Sequence, residues 1–155
     1  MKKYYEELFR RIINEVNNGH YELIHIFSVI ADDKFFQKEI REFALKYQIS
    51  FFVKNGHYKE LKIIMKKNTI QDLIENLSIN PSTLIEEATL NAIERFYNEK
   101  NEKKLLEIIS DSYCSYKLRK MALGKLLDIY KEERKFKKRI HAYLSFYSKT
   151  IKSLI

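Results

Sequence analysis

Basic side chains that could bind a polyanion concentrate in the C-terminal quarter of this sequence. Residues 117–155 contain 12 Lys and Arg against 3 Asp and Glu, whereas residues 1–116 contain 17 against 18. A nucleic acid bound there would release condensed counterions, so its affinity would fall with added salt. The candidate ligands for nucleic acid or for an acidic partner are Lys117, Lys120, Lys125, Lys131, Arg134, Lys135, Lys137, Lys138 and Arg139. The alternative interpretation is a lysine-rich surface that only solvates the protein.

Aromatic residues are interleaved with these basic residues, and aromatic faces can stack on exposed bases. Their spacing, however, favours a different role. An apolar stripe at helical spacing is formed by Phe136, Ile140, Tyr143, Tyr147 and Ile151. Such a stripe is more often the buried side of a helix than a stacking platform. We therefore expect this stripe to lie in the core.

Signatures of catalysis and of cofactor binding are missing from the sequence. It has three glycines and lacks a Gly-rich phosphate loop and the H-E-x-x-H, C-x-x-C and G-x-S-x-G motifs. The carboxylate pairs Asp32-Asp33 and Glu86-Glu87 lie at or near expected helix starts, where negative charge is favourable. Capping therefore explains them better than acid-base catalysis does. We expect no catalytic residues, no metal site and no cofactor.

Hydropathy and cysteine content indicate a soluble protein. No run approaches the roughly 18 consecutive apolar residues of a membrane span, so we expect no membrane partner. The single cysteine, Cys114, cannot form an internal disulfide, which agrees with a reducing compartment. We therefore expect a cytoplasmic location.

The elements that must position these residues are helices. One Pro and three Gly leave few turn signals for an all-β fold, and apolar residues such as Leu8, Ile12 and Val16 recur at helical spacing. The periodicity predicts an all-α fold of four antiparallel helix pairs in a single domain over residues 1–155. The pairs span about residues 4–31, 35–67, 82–110 and 116–152, and a short extra helix spans about 70–77.

A four-residue motif, Asn-Gly-His-Tyr, occurs twice in the first part of the chain. Asn18-Gly19-His20-Tyr21 returns as Asn55-Gly56-His57-Tyr58, 37 residues later, and each copy joins a long helix to a shorter one. Periods of this size are typical of stacked helical repeats, because one helix pair cannot bury its own apolar face. The equivalent places of His20 and His57 favour a structural role for both.

A second repetition is centred on Ala44, Ala88 and Ala122, which are 44 and 34 residues apart. An aliphatic residue lies four positions before each alanine and five positions after it, and an aromatic residue lies eight positions after it. A small residue among large ones lets two helices approach closely. The longer interval accommodates the extra helix, which Thr69 and Asp72 would start as a capping box.

The best single copy of this pattern consists of Leu105–Asp111, Lys117–Leu123 and Leu126–Tyr130. It resembles a HEAT-like repeat, with a leucine-rich second helix, an acidic turn and a first helix of the form Leu-Arg-x-x-Ala-Leu. The resemblance implies a short right-handed α-solenoid, or HEAT-like superhelix, of about four helix pairs. It also implies that the shared arginine, at Arg41 and Arg119, supports neighbouring repeats.

The predicted last helix also carries apolar residues outside its main stripe, although a terminal solenoid helix normally has a polar outer face. Candidate residues for a protein interface are Leu144, Phe146, Leu154 and Ile155. Either this end folds back onto the stack, or it meets a second copy or another protein.

Three classes of function follow from these patterns. The preferred one is a non-catalytic interaction module or scaffold that binds another protein or a second copy of itself. The alternative is a DNA- or RNA-binding protein that contacts phosphates through its C-terminal basic surface. The third is an enzyme similar to HEAT-like DNA glycosylases, which is disfavoured because their sites use tryptophan beside a carboxylate and this sequence has no Trp.

Overall fold

Nine helices make up the part of the chain that the structure describes, which is the backbone of residues 2–154 and the side chains of residues 2–147. In this computed structural model they are α1 (Lys2–Asn17), α2 (His25–Asp32), α3 (Lys38–Lys54), α4 (Tyr58–Met65), α5 (Gln71–Asn76), α6 (Pro81–Asn98), α7 (Glu102–Ser110), α8 (Tyr116–Glu132) and α9 (Phe136–Leu154). Two 3₁₀ turns, Tyr21–Ile24 and Asn68–Ile70, lead into α2 and α5. The prediction of an all-helical fold is confirmed.

Local hydrogen bonds start several helices, but a tertiary contact replaces one expected cap. The side chains of Asn101 and Ser115 accept backbone hydrogen bonds at the starts of α7 and α8. Thr69, expected to form a capping box with Asp72, instead donates its hydroxyl to Asp32 at 2.6 Å. The extra helix α5 therefore begins without the predicted capping box, and Thr69 ties the preceding turn to α2.

Three helices end at a residue with positive φ, here called the left-handed joint, and these residues are in register with the three alanines. All three alanines are buried. Gly56, Lys100 and Arg134 have φ of 70°, 53° and 55°, and each lies 12 residues after one alanine. At each joint the next backbone amide donates to the carbonyl of the repeated aromatic residue, at 2.7–2.8 Å. This is the Schellman pattern of helix termination. The helices α3, α6 and α8 are thus equivalent both at the alanine and at the joint.

The chain divides into two compact units, Met1–Ala88 and Thr89–Ile155, with the division inside α6. In the first unit α3 packs against α1, α2, α4 and α5. The rings of Phe9 and Phe27 lie in its core, 5.3 Å apart and edge to face. The expectation of one domain over residues 1–155 stays a prediction.

In the second unit α7, α8 and α9 pack against one another. Each helix contributes fully buried side chains, among them Leu105 and Ile109 of α7, Leu126 of α8 and Phe146 of α9. The buried sides of α7 and α9 face α8, and α7 and α9 also contact each other.

Two buried arginines occupy equivalent positions in α3 and α8. The Nε–H of Arg41 donates to the Ala31 carbonyl and that of Arg119 to the Ile109 carbonyl, both at 2.8 Å. Both acceptors lie in the last turn of the helix before, where carbonyls lack helical partners. Arg119 also donates from Nη2 to the Phe146 carbonyl at 2.9 Å. Its guanidinium therefore joins α7, α8 and α9, which is a structural role of the kind expected for this arginine.

Replacing Arg119 by methionine tests this junction. Arg119→Met keeps much of the apolar contact but leaves the carbonyls of Ile109 and Phe146 without the guanidinium, so we expect the free energy of unfolding to fall by about 2–4 kcal/mol. Chemical denaturation followed by circular dichroism measures it. Lys120→Met, on the exposed side of the same helix, is the control and should change it by less than about 0.5 kcal/mol. Equal losses in the two variants would contradict the role of Arg119.

Candidate binding surface on the last helix

The side of α9 that packs against α7 and α8 carries one small and one aromatic residue. Ala142 and Phe146 are both 1% exposed. The Arg119 guanidinium lies 5.1 Å from the centre of the Phe146 ring, and Arg139 donates from Nη1 to the Leu127 carbonyl of α8 at 2.8 Å. Because Ala142 is small, α9 can approach its neighbours closely while Phe146 fills the space beside it.

A neighbouring side of α9 presents a row of large apolar side chains to solvent. These residues, here called the α9 stripe, are Phe136, Ile140, Tyr143, Leu144 and Tyr147, and they are 42–65% exposed. Their spacing of three or four residues places them on one face of the helix. The sequence analysis expected Phe136, Ile140, Tyr143 and Tyr147, together with Ile151, to lie in the core. For the first four residues this expectation is wrong. The side chain of Ile151 lies outside the described residues.

The physical reason is that α9 has two apolar sides and only one of them can face α8. Both sides have helical spacing, so periodicity alone cannot choose between them. The buried side includes the ring of Phe146, which is covered by Arg119. Once that side is buried, the stripe must face outward.

The four residues expected to form a protein interface have separate places. Leu144 is exposed and belongs to the α9 stripe. Phe146 is in the core, so it is not a surface residue and its place in the expected interface has to be corrected. The side chain of Leu154 and the whole of Ile155 lie outside the described residues.

Two of the expected basic ligands, Lys135 and Lys138, both form ion pairs with one carboxylate, that of Glu102. Glu102 accepts from Lys135 Nζ at 3.0 Å and from Lys138 Nζ at 3.2 Å, and the Tyr130 hydroxyl donates to it at 3.4 Å. Lys135 also pairs with Glu133. These lysines thus join the ends of α7 and α8 to α9.

The charges in this cluster shift one another's protonation. Burial raises the pKa of Glu102, but hydrogen bonds and charge from Lys135 and Lys138 outweigh it, so the pKa lies below its ordinary value. Burial first, and then the Glu102 carboxylate, raises the pKa of Tyr130. Hydrogen bonds to Glu133 and Glu102 raise the pKa of Lys135. Glu102 therefore stays ionised to a lower pH than an ordinary glutamate does.

Two other expected ligands also have partners within the second unit. Lys125 pairs with Glu94 at 3.2 Å and lies 4.6 Å from the centre of the Tyr97 ring. Arg139 is directed towards the Leu127 carbonyl. Lys125, Lys135, Lys138 and Arg139 accordingly have contacts that stabilise the unit.

The other five candidates, Lys117, Lys120, Lys131, Arg134 and Lys137, are exposed. Three of them lie within five residues of Phe136 in the sequence: Lys131 in the last turn of α8, Arg134 in the joint and Lys137 in the first turn of α9. They are therefore near the N-terminal end of α9. In contrast, Ile140–Tyr147 contains no Lys, Arg, Asp or Glu. The surface is therefore basic at one end and uncharged over most of its length.

Glu102 is the residue of this region that sequence reasoning missed. It is 33 and 36 residues away from its two lysines. In the sequence it resembles any acidic residue in the first turn of a helix, here α7. No local spacing connects it to α9. The contact becomes visible only when α7 and α9 lie side by side.

An open groove of about 480 Å³ runs along α7, lined by Glu102, Lys103, Leu106, Glu107 and Ser110. Its two carboxylates already pair with lysines, Glu102 as described and Glu107 with Lys104 at 3.5 Å. Among the described residues no three His, Cys, Asp or Glu side chains lie where they could share a metal ion. Of the helices described, none is both long and apolar enough to cross a membrane. Among the described residues, the α9 stripe places five exposed large apolar side chains on one helix face.

Comparison of the chain with protein-family models, with curated proteins and with solved structures finds no match. The functional interpretation therefore depends on the chain's own sequence and geometry.

The Glu102 cluster predicts how stability depends on pH. Because the folded pKa of Glu102 lies below the ordinary 4.5, its charge stabilises the fold above about pH 4.5, and this contribution is lost as the pH falls through the folded pKa. Glu102→Gln should therefore lower the free energy of unfolding by about 1 kcal/mol at neutral pH, after allowance for solvent screening. As the pH falls from neutral through the folded pKa of Glu102, this difference should shrink.

Denaturant unfolding of both proteins across this pH range measures the difference. Glu99→Gln, which removes an exposed carboxylate just before α7, is the control. If the two variants lose the same stability at every pH, Glu102 has no special role in the cluster.

Proposed function

We propose that this chain is a short HEAT-like repeat protein without catalytic function that binds another protein through the α9 stripe. The observation that carries the proposal is the exposure of five large apolar side chains on one face of α9. Contiguous apolar patches on a protein surface commonly mark interaction sites. The preferred class of function from the sequence is thus given a specific surface.

The repeat architecture is the first support for this proposal. α3 and α8 share a buried alanine, a buried arginine and a left-handed joint at the same offsets, as Ala44, Arg41 and Gly56 match Ala122, Arg119 and Arg134. α6 repeats the alanine and the joint. Such equivalence fits a right-handed solenoid of stacked helix pairs, which is part of the proposal. Proteins of this architecture offer extended surfaces for binding.

The size of the α9 stripe is the second support. From Phe136 to Tyr147 it extends roughly 17 Å along the helix axis, about three turns. Full burial of an aliphatic side chain contributes about 1.5–3 kcal/mol, so covering Ile140 or Leu144, each about 60% exposed, would contribute about 1–2 kcal/mol. A partner that covers several of these side chains would bind with useful affinity.

A peptide-display selection against the whole chain tests the proposal. We expect the enriched peptides to bind the wild-type protein and to bind the double variant Ile140→Asp/Leu144→Asp at least about tenfold more weakly, because each Asp places a charge in the apolar contact. The affinities are measured by fluorescence anisotropy of labelled peptides, after thermal unfolding has shown that both proteins fold.

The control is Ile63→Asp on α4, since Ile63 is 66% exposed and Ile140 is 62% exposed. This variant should bind like the wild type. The proposal fails if no peptide is enriched, or if the enriched peptides bind the double variant as tightly as the wild type.

Nucleic-acid binding is the second candidate function. The observation in its favour is that Lys131, Arg134 and Lys137 are exposed near the exposed ring of Phe136 in the sequence, and that the ring of Tyr143 is exposed farther along α9. Phosphates could contact the basic side chains while unpaired bases stack on the rings. The lysines at Glu102 are less suitable, because Glu102 offsets part of their charge.

This candidate predicts that affinity for labelled DNA or RNA falls steeply with salt. In the triple variant Lys131→Glu/Arg134→Glu/Lys137→Glu, the slope of log affinity against log salt should shrink by about 3, one for each lost phosphate contact. Lys34→Glu/Lys38→Glu/Lys46→Glu changes the net charge equally, also at exposed lysines, and is the control. Equal loss in both variants would mean a general effect of net charge and would remove this candidate.

A further inference from the structure

The charged side chains along the described part of α9 are unevenly distributed. Near its N-terminal end, Lys137 lies in the first turn of α9, Arg134 in the joint before it and Lys131 in the last turn of α8, and all three are exposed. Beyond these, the exposed surface from Ile140 to Tyr147 has no charged residue other than His141 when protonated. The helix contains no Asp or Glu at all. A partner that covers the α9 stripe therefore meets positive charge at the N-terminal end and no Lys or Arg from Ile140 to Tyr147. Lys149 and Lys152 follow later in α9, and their side chains lie outside the described residues.

The shape of the stripe suits another helix. Side chains at three- and four-residue intervals form ridges along a helix surface, and ridges of one helix fit the grooves of another. The long side chains of Phe136, Ile140, Leu144 and Tyr147 project from successive turns. A partner helix with apolar residues at the same spacing would cover them over about three turns.

We infer that the α9 stripe binds an amphipathic helix of another protein, with acidic residues at the end that lies beside Lys131, Arg134 and Lys137. This inference rests on the proposed protein-binding function and adds the chemistry of the partner. The apolar face supplies contact area, and the acidic end sets orientation and speeds association.

A second copy of this chain fits the surface less well. The whole chain has a net charge of +8, which opposes association between copies. Since α9 has no carboxylate, two α9 helices packed together could not neutralise each other's basic residues. An acidic partner provides the missing charge.

Nucleic acid and membranes fit less well for other reasons. Ile140 and Leu144, at the centre of the stripe, have no ring on which a base could stack, and phosphates would lie against an uncharged surface. A helix that lies on an anionic membrane carries basic residues along its polar face. In α9 another side of the helix is instead buried, through Ala142 and Phe146, because α9 packs as part of the second unit.

Three synthetic peptides test the inference on the full chain. All have leucines at three- and four-residue spacing and differ only at one end, which carries four Glu, four Gln or four Lys. We expect the Glu peptide to bind about tenfold more tightly than the Gln peptide at low salt, and the Lys peptide to bind most weakly. Added salt should reduce the difference.

A double-mutant cycle assigns the difference to the basic end of the stripe. In Lys131→Gln/Arg134→Gln/Lys137→Gln, the Glu and Gln peptides should bind with equal affinity. In Lys34→Gln/Lys38→Gln/Lys46→Gln, the preference for the Glu peptide should persist. Persistence in both variants would overturn the assignment of the acidic end to this part of the surface.

The outcomes separate this inference from the function on which it rests. Equal binding of the three peptides, lost in Ile140→Asp/Leu144→Asp, would overturn the acidic partner but keep protein binding at the stripe. Binding of none of the peptides would overturn the inference, and the display selection then decides the function separately. Stripe-dependent binding of phosphatidylserine vesicles or duplex DNA in place of the peptides would reassign the surface to a membrane or to nucleic acid. A dimer in sedimentation that Ile140→Asp dissociates would assign it to a second copy.

Discussion

The guanidinium of Arg119 satisfies backbone carbonyls of two helices that neighbour its own. It is 3% exposed and donates to Ile109 at the end of α7 and to Phe146 in α9. Carbonyls in the last turn of a helix have no partner within that helix, and leaving a buried one unpaired is unfavourable. This contact holds α9 against α7 and α8 within the second unit, and the surface that α9 presents follows from it. Arg41 makes the corresponding contact to Ala31 in the first unit.

This contact has a consequence for the outer surface. Because the Phe146 backbone and ring are held at Arg119, the turn of α9 that carries them must face inward. The α9 stripe lies on the other side and has no covering helix among the described residues. A buried structural contact therefore determines which apolar residues are left for a partner, and the proposed function follows from how the core is packed.

The basic C-terminal region has two roles that composition alone does not separate. Lys135 and Lys138 hold Glu102, and Lys125 holds Glu94, so these lysines contribute to the fold. Lys131, Arg134 and Lys137 are exposed at one end of the stripe. The positive charge available to a partner is thus smaller than the sequence indicates, and part of it lies near one end of an apolar surface. That arrangement favours a partner that combines apolar area with local negative charge.

The sequence by itself determined the helices and the repeated register. Helical spacing, the Gly19 and Gly56 turns and the offsets from Ala44, Ala88 and Ala122 are local patterns, and the forces that form a helix and its ends act over a few residues. The same joint at Lys100 and Arg134 lacks glycine, so it is recognisable only through the alanine register.

Only the tertiary structure decided which side of α9 is buried and which lysines are bound. Both sides of α9 have the same apolar period, so the choice depends on Arg119 and Phe146, 27 residues apart. The Glu102 cluster likewise joins residues more than 30 positions apart. Thr69 binds Asp32 instead of capping its own helix, because a partner brought close by folding competed with the local one. Local spacing specifies a helix, but its partners are chosen by contacts between distant segments, which spacing does not encode.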